Sequence, residues 1–171
     1  GEAFWARDRS FFMERHGYLE ETYFDVSYDP VRDESGGVGG VFCIVSETTG
    51  RVVGERRLRT LRDLGRIAQQ AQDVEEVHAL AAEVLAANRE DFPFALFYGA
   101  PQAGGAARLM QRCGLEGHPA AAAAELDPAG AWPRSEELQV LDAAALAPLG
   151  PLHGGPWPEP VCEAVVVPFA A

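Results

Sequence analysis

One stretch of the sequence decides the fold: 39-GGVFCIVSETTGRVVGERRLRTL-61. Residues 38–45 are rich in β-branched and aromatic side chains, which predicts a strand. From residue 51 to about residue 71 there is no proline and good helix formers dominate, which predicts a helix of roughly 30 Å at about 1.5 Å per residue. Its apolar side chains recur at spacings of three and four: Leu58, Leu61, Leu64, Ala68 and Ala71. The chain therefore passes directly from a strand into an amphipathic helix.

The segment before this stretch predicts further strands. Residues 20–28 contain Tyr23, Phe24, Val26 and Tyr28, which favour a second strand. Between the two strands lie Asp29-Pro30 and the segment 33-DESGG-37, whose residue types favour a chain reversal. We therefore expect an antiparallel hairpin, to which residues 4–13 can add a third strand.

A second helix and another hairpin are predicted after the first helix. Asp73 and Glu76 have the spacing of a capping box, and apolar residues with the helical period follow as far as about Asn88. Residues 92–98 are aromatic and aliphatic and predict a buried strand, closed by a glycine-rich turn over residues 99–105. Residues 106–113 are the predicted hairpin partner of this strand.

The pattern is weaker from residue 114 onward. Residues 119–131 and 148–160 predict loops, because proline and glycine interrupt both ladders and helices, and residues 132–138 predict a short helix. Residues 163–169 predict a strand that lacks a neighbouring strand to pair with. We therefore expect this chain, which starts with Gly1, to be a fragment of a longer protein in which the last domain continues.

Composition limits the classes of function. Of 171 residues, 47% are hydrophobic and 23% are charged, which is typical of a folded domain. The formal net charge of -12 disfavours nucleic acid as a partner, because phosphates would be repelled. No apolar run reaches the roughly 20 residues of a membrane helix. Cys43, Cys113 and Cys162 are odd in number and match no ligand spacing, which fits a reducing compartment without a disulfide framework or a zinc site.

Three segments together resemble the sensory region of bacterial PAS and GAF signalling proteins. The segments 17-GYLEETYF-24 and 27-SYDPVRD-33 resemble the penultimate strand of a PAS domain. The segment 39-GGVFC-43, continuing to Glu47-Thr48-Thr49, resembles the last PAS strand and its exit motif. The segment 51-RVVGERRLRTL-61 is similar to the signalling helix that follows. The resemblance implies that Glu47, Thr48 and Thr49 couple the sheet to the outgoing helix.

Two later segments, 94-FALFY-98 and 154-GGPWPEP-160, resemble the first strand and a late loop of an associated GAF domain. The implied fold class is α+β. It comprises the C-terminal part of a PAS sheet over residues 1–50, a signalling helix over residues 51–71, and a truncated GAF domain, an antiparallel sheet with flanking helices, over residues 72–171. Both ligand pockets of such domains would be incomplete in this chain.

The sequence contains no recognisable catalytic or metal-binding constellation. His16, His78, His118 and His153 show no zinc-ligand spacing, and none lies in a phosphoacceptor motif. Cys162 has no predicted base beside it and so lacks what a thiol nucleophile needs. We therefore predict no catalytic residue and no metal site, and the sequence leaves the identity of any cofactor open.

The function implied by the resemblance is that of a cytoplasmic input fragment of a bacterial two-component sensor histidine kinase, non-catalytic in itself. Two copies would pair through Leu58, Leu61 and Leu64 of the helix, with kinase or other effector domains elsewhere in the parent chain. The main alternative is a small-molecule-binding GAF module that regulates a phosphatase or a cyclase. A small enzyme that uses Cys162 or a histidine, and a passive scaffold, are the other hypotheses.

Overall fold

The computed structural model describes residues 1–99, 106–118, 121–126 and 137–168. These residues form a mixed structure with three α-helices and antiparallel sheets, so the predicted α+β class is confirmed. The chain divides into two compact units, Gly1–Arg59 and Thr60–Ala171. The division falls inside the first helix.

A three-stranded antiparallel sheet makes up most of the first unit. Its strands, in the order β1-β2-β3, are β1 (Phe4–Glu14), β2 (Leu19–Arg32) and β3 (Val38–Glu47). All three predicted strands are present, but β2 continues through Pro30, where the sequence predicted a turn. Pro30 pairs with Val41 of β3, whereas β1 pairs with β2 only as far as Tyr28. A residue without an N–H is tolerated here because β2 has a neighbour on one side only.

The chain reverses between β2 and β3 over residues 33–37. Asp33 Oδ1 accepts hydrogen bonds from the hydroxyl of Ser35 and from the N–H groups of Ser35 and Gly37, the latter two at 2.9 and 2.8 Å. These bonds, that of the Ser35 side chain first, lower the pKa of Asp33. Gly36 has a φ of 82°, which glycine adopts without strain. The reversal therefore uses the predicted residues over a shorter segment.

The sheet of the first unit buries little of its own apolar surface. Thr22 and Val26 of β2 are buried, whereas every residue of β3 is exposed. Trp5, Phe12 and Phe42 are 67%, 56% and 57% exposed. The small core of this unit therefore lies along its middle strand.

Helix α1 (Thr49–Gln70) begins two residues before the predicted start and ends one residue before the predicted end. The apolar stripe predicted for it is not buried along its length within the chain. Ile67 is buried and Leu64 is half-buried, whereas Leu58 and Leu61 are 67% and 65% exposed. Successive steps of three residues each fall about 60° short of a full turn, so leucines spaced by three pass from the exposed side of the helix to the buried side.

The second unit continues with α2 (Val74–Ala86). The predicted capping residues begin this helix: Asp73 accepts a hydrogen bond from the N–H of Glu76 at 2.8 Å. The carboxylate of Glu76 in turn accepts the N–H of Gln72, at 2.7 Å, rather than that of Asp73. The capping box is therefore present with its return bond displaced by one residue.

A hairpin of β4 (Ala95–Gly99) and β5 (Arg108–Cys113) follows α2, and the two strands pair antiparallel as predicted. Strand β4 begins three residues later than expected, after Pro93, which has no N–H for a ladder. Beyond Gly99, the predicted turn lies outside the described residues. Residues 121–126, part of a predicted loop, run beside β5: Leu109 donates its N–H to the Ala124 carbonyl at 2.8 Å.

The last part of the second unit contains β6 (Gln139–Leu141), α3 (Ala143–Leu146), a 3-10 turn (Ala147–Leu149) and β7 (Ala164–Val166). Strand β7 pairs antiparallel with β6, so the expectation that the last predicted strand has no partner in this chain is wrong. The sequence does not predict β6, because three residues carry too little periodicity. Of the helix predicted over residues 132–138, residues 132–136 lie outside the described residues, and Glu137 and Leu138 are not helical.

Two apolar clusters form the core of the described part of the second unit. One is built on Leu115, Ala121 and Leu152, and the other on Leu141, Leu146 and Ala164. The half-buried side chains that pack against both clusters are Phe94, Leu149 and Val161. Because these three are shared, the clusters join into one core, and the predicted loop 148–160 supplies part of it.

Candidate functional site

The residues at which β3 passes into α1 are bonded to β1, to β2 or to the turn between these two strands. Glu47 ends β3, Thr49 begins α1, and Thr48 lies between them. Each of the three contacts a group on β1, on β2 or just after β1. We call these three residues, with their partners Asp8, Arg15 and Tyr23, the junction. All of it belongs to the first unit, and it contains every residue predicted to couple the sheet to the helix.

Glu47 is held by an arginine from the turn after β1. Arg15 Nη1 and Nη2 donate to Glu47 Oε2 and Oε1 at 3.1 and 3.2 Å, and Nη2 also donates to Glu20 at 3.0 Å. The hydroxyl of Thr49 is 2.9 Å from the same carboxylate. Arg15, and after it Thr49, lower the pKa of Glu47, and Glu47 raises the pKa of Arg15. This two-pronged geometry fixes direction as well as distance.

Thr48 connects the junction to a bulge in β1. Its hydroxyl donates to Asp8 Oδ1 at 2.7 Å, and Arg51, in the first turn of α1, bonds to the same oxygen. Asp8 has a φ of 50°, where the register with β2 shifts, a conformation that few residues except glycine, Asn and Asp adopt. Arg51 first and Thr48 second lower the pKa of Asp8. One carboxylate, at the bulge in β1, thus binds both Thr48 and the first turn of α1.

The backbone of Tyr23 in β2 completes the junction. Its carbonyl accepts the N–H of Thr48 at 2.8 Å, and its N–H donates to the hydroxyl of Thr49 at 2.9 Å. The last residue pair of the β2–β3 ladder is Phe24 with Glu47. The two bonds of Tyr23 continue this ladder, one to the main chain of Thr48 and one to the side chain of Thr49. The first residue of α1 therefore occupies a place in the sheet.

A fourth contact lies two turns into the helix. Arg56 Nη1 and Nη2 donate to Glu21 Oε1 and Oε2 at 2.7 and 2.9 Å. The side chains of Arg56 and Glu21 are only 16% and 10% exposed, and the hydroxyl of Tyr23 also donates to Glu21. Ion pairs shielded in this way are screened less by salt than surface pairs. Because both Nη groups of Arg56 bind the one carboxylate of Glu21 on β2, the contact also restricts the direction of α1.

The residues predicted to pair two helices lie in different environments. Leu58 and Leu61 are exposed, whereas Leu64 is half-buried. Their role in a dimer stays a prediction. Sequence reasoning identified Glu47, Thr48 and Thr49 but missed Asp8 and Arg15, which lie more than 30 residues away from their partners along the chain. Only the strand register brings them together.

Other reactive side chains in the described part of the chain form no site of their own. Cys43 and Cys162 are exposed, and burial raises the pKa of the buried Cys113 thiol. Among the described residues, no three His, Cys, Asp or Glu side chains are grouped so that they could hold a metal ion. No helix in that part of the chain combines the length and apolarity needed to cross a membrane.

Comparison with known proteins gives no family assignment. No family model matches the sequence, and neither a curated protein nor a solved structure matches it. The resemblance to PAS and GAF domains therefore stays a prediction from the quoted segments.

Proposed function

We propose that this chain is a non-catalytic signal-relay fragment, in which the junction couples the sheet of the first unit to helix α1. The observation that supports the proposal is that Glu47, Thr48 and Thr49 all bond to β1, to β2 or to the turn between them. A helix that followed the sheet as a passive spacer would need no such contacts at its start. In the setting that the resemblance implies, the fragment is the cytoplasmic input region of a bacterial sensor histidine kinase.

The contacts suggest how a change in the sheet would reach the helix. Asp8 lies at the bulge near the middle of β1 and Arg15 directly after its last residue. Arg15 binds the helix start through Glu47, and Asp8 binds it through Thr48 and Arg51. A shift of β1 along β2 would therefore change both contacts with the helix start. The start of α1 would then tilt or rotate, and packed helices tend to move between discrete arrangements rather than bend continuously.

The relay also requires α1 to be fixed at its far end. In the second unit, Thr60 and Ile67 of this helix are buried, and the hydroxyl of Thr60 accepts a hydrogen bond from Asn88 Nδ2 at 3.0 Å. Asn88 is itself only 3% exposed. The helix is therefore anchored at its start by the junction and further along by a buried polar contact.

Hydrogen exchange of the amides of α1 tests the coupling. Substitution Arg15→Met removes the contact with Glu47 without changing the helix sequence. We expect severalfold faster exchange in the first turns of α1, because opening of this end then breaks fewer bonds. Arg9→Met is the matched control, since Arg9 is an exposed residue of β1 that makes none of the junction contacts. Equal exchange in both variants would count against the proposal.

We further propose that two copies of the chain pair through the exposed side of α1, with Leu58 and Leu61 at the centre and Leu64 at the edge. The support is that two leucines one turn apart are each about two-thirds exposed on a 22-residue helix. The solution mass across a dilution series, measured by light scattering behind a sizing column, tests this. A concentration-dependent dimer that Leu61→Glu weakens is expected. A monomer at every concentration would contradict it.

A further inference from the structure

A cavity of about 380 Å³ lies between α2 and β5 in the second unit. One wall consists of the methyl groups of Ala79, Ala82 and Ala86 on α2. Charged groups from both elements and from the segments that follow them make up the rest of the lining: Glu83, Arg89, Arg112 and Glu116. The cavity is open to solvent, since Glu83, Arg112 and Glu116 are exposed, and its volume lies at the lower end of the range of small-ligand sites, roughly 300–1,000 Å³.

Arg89 has an unusual position in this cavity. Its Nε is buried and has no hydrogen-bond partner among the residues that the structure describes. A Cβ atom on Gly114 would lie 2.9 Å from Arg89 Nη2, and one on Gly155 would lie 2.3 Å from the Arg89 carbonyl oxygen. The two glycines thus allow the chain to pass close to Arg89 on two sides. Because Nε is out of contact with solvent, an anion in the cavity would bind the other nitrogens of the Arg89 guanidinium, which remain donors for a carboxylate.

The charges in the lining narrow the class of anion. Two arginines and two glutamates give the cavity no net charge, so a nucleotide or another polyanion would be repelled by the glutamates. Glu116 accepts the N–H of Gly114 at 3.1 Å, which holds its carboxylate at the cavity. Burial raises the pKa of Cys113, another lining residue, which disfavours a thiolate that would compete with a ligand carboxylate for the arginines.

We propose that this cavity binds a small zwitterionic amino acid with an apolar side chain. The ligand carboxylate binds Arg89, with Arg112 next to it, the ligand ammonium faces Glu83 and Glu116, and the apolar side chain lies on the alanine wall of α2. Each of the three ligand groups then meets a group of matching chemistry. The proposal rests on the second unit alone and is independent of the junction.

The test is an NMR titration of the full ¹⁵N-labelled chain with four probes. L-leucine carries all three groups, leucinamide lacks the carboxylate, 4-methylpentanoate lacks the ammonium, and inorganic phosphate is a simple anion. We expect saturable shifts of the amides of α2 and β5 with L-leucine, and at least tenfold weaker binding of the other three. No saturable shift with L-leucine would overturn the proposal. Equal binding of 4-methylpentanoate or phosphate would overturn the zwitterion and leave a plain anion site.

Variants show whether the shifts come from this cavity. Arg89→Gln should abolish the response to L-leucine, and Ala86→Leu should weaken it by filling the cavity while Arg89 stays in place. Arg108→Gln is the control, because Arg108 lies on β5 with its side chain 79% exposed and does not line the cavity. Dispersed resonances of β4 and β5 show that each variant is folded. An unchanged response in both Arg89→Gln and Ala86→Leu would place the binding elsewhere and refute the proposal.

Discussion

Substitution Thr60→Val tests the anchor of α1 in the second unit. Asn88 Nδ2 has two N–H groups, which donate to Thr60 Oγ1 and to Asp91 Oδ2, both at 3.0 Å. Valine has nearly the shape of threonine, so the substitution leaves no large cavity but removes one acceptor. With Asn88 3% exposed, water cannot easily replace that acceptor. An unsatisfied buried donor costs roughly 1–3 kcal/mol, and we expect a loss of about 2 kcal/mol.

Urea unfolding followed by the amide resonances of β4 and β5 measures this loss within the second unit. At a slope of about 2 kcal/mol per molar urea, the transition midpoint should fall by about 1 M. The control is Gln69→Ala, an exposed position on the same helix, for which we expect a change within about 0.5 kcal/mol. A midpoint that moves no more in Thr60→Val than in Gln69→Ala would refute the assignment of Thr60 and Asn88 as an anchor.

Three further predictions concern the charges, caps and glycines of the chain. The pKa of Glu47 lies below its usual 4.5 in the folded chain, so its stabilising effect is complete above pH 4.5 and is lost as the pH falls through the lowered pKa. Between pH 6 and 3 the melting temperature should therefore fall more steeply for the wild type than for Glu47→Gln, and parallel curves would contradict this. Asp73→Ala removes the cap of α2 and should cost about 1 kcal/mol, measured by circular dichroism during urea unfolding, whereas an unchanged midpoint would mean that the cap is dispensable. Gly114→Ala places a Cβ 2.6 Å from the Pro93 carbonyl oxygen at a φ of 75° and should lower the free energy of unfolding by about 1–3 kcal/mol in the same assay. Gly117→Ala is the control, since a Cβ there meets nothing within 4 Å, and equal effects of the two substitutions would contradict the close approach of Gly114 to Pro93.

Much of the local structure could be predicted from the sequence, because local patterns carry it. The β-branched and aromatic runs located β1, β2 and β3, and the pair Asp73 and Glu76 marked the start of α2. Short elements escaped, since β6 has three residues and no period to detect. The boundary at Pro30 was wrong because tolerance of proline depends on whether a neighbouring strand is present, which only the register reveals.

The candidate site could be predicted only in part. Glu47, Thr48 and Thr49 are adjacent in sequence and were identified together, through the resemblance. Their partners Asp8 and Arg15 are charged residues in a strand and a turn, with nothing local to mark them. The side of α1 that is buried was also unpredictable from leucine spacing alone, because Ile67 and the polar residue Thr60, not the most regular leucines, face the second unit's interior.

The most direct test of the relay is whether a change at the junction reaches the far half of α1. The amide chemical shifts of α1 would be compared between the wild type, Arg15→Met and the control Arg9→Met. The relay predicts that the shift changes in Arg15→Met extend along the helix past Thr60 to Ile67, and that those in Arg9→Met do not. Changes that end within the first turn of α1 would show that the junction stabilises the sheet without transmitting anything, and would contradict the account.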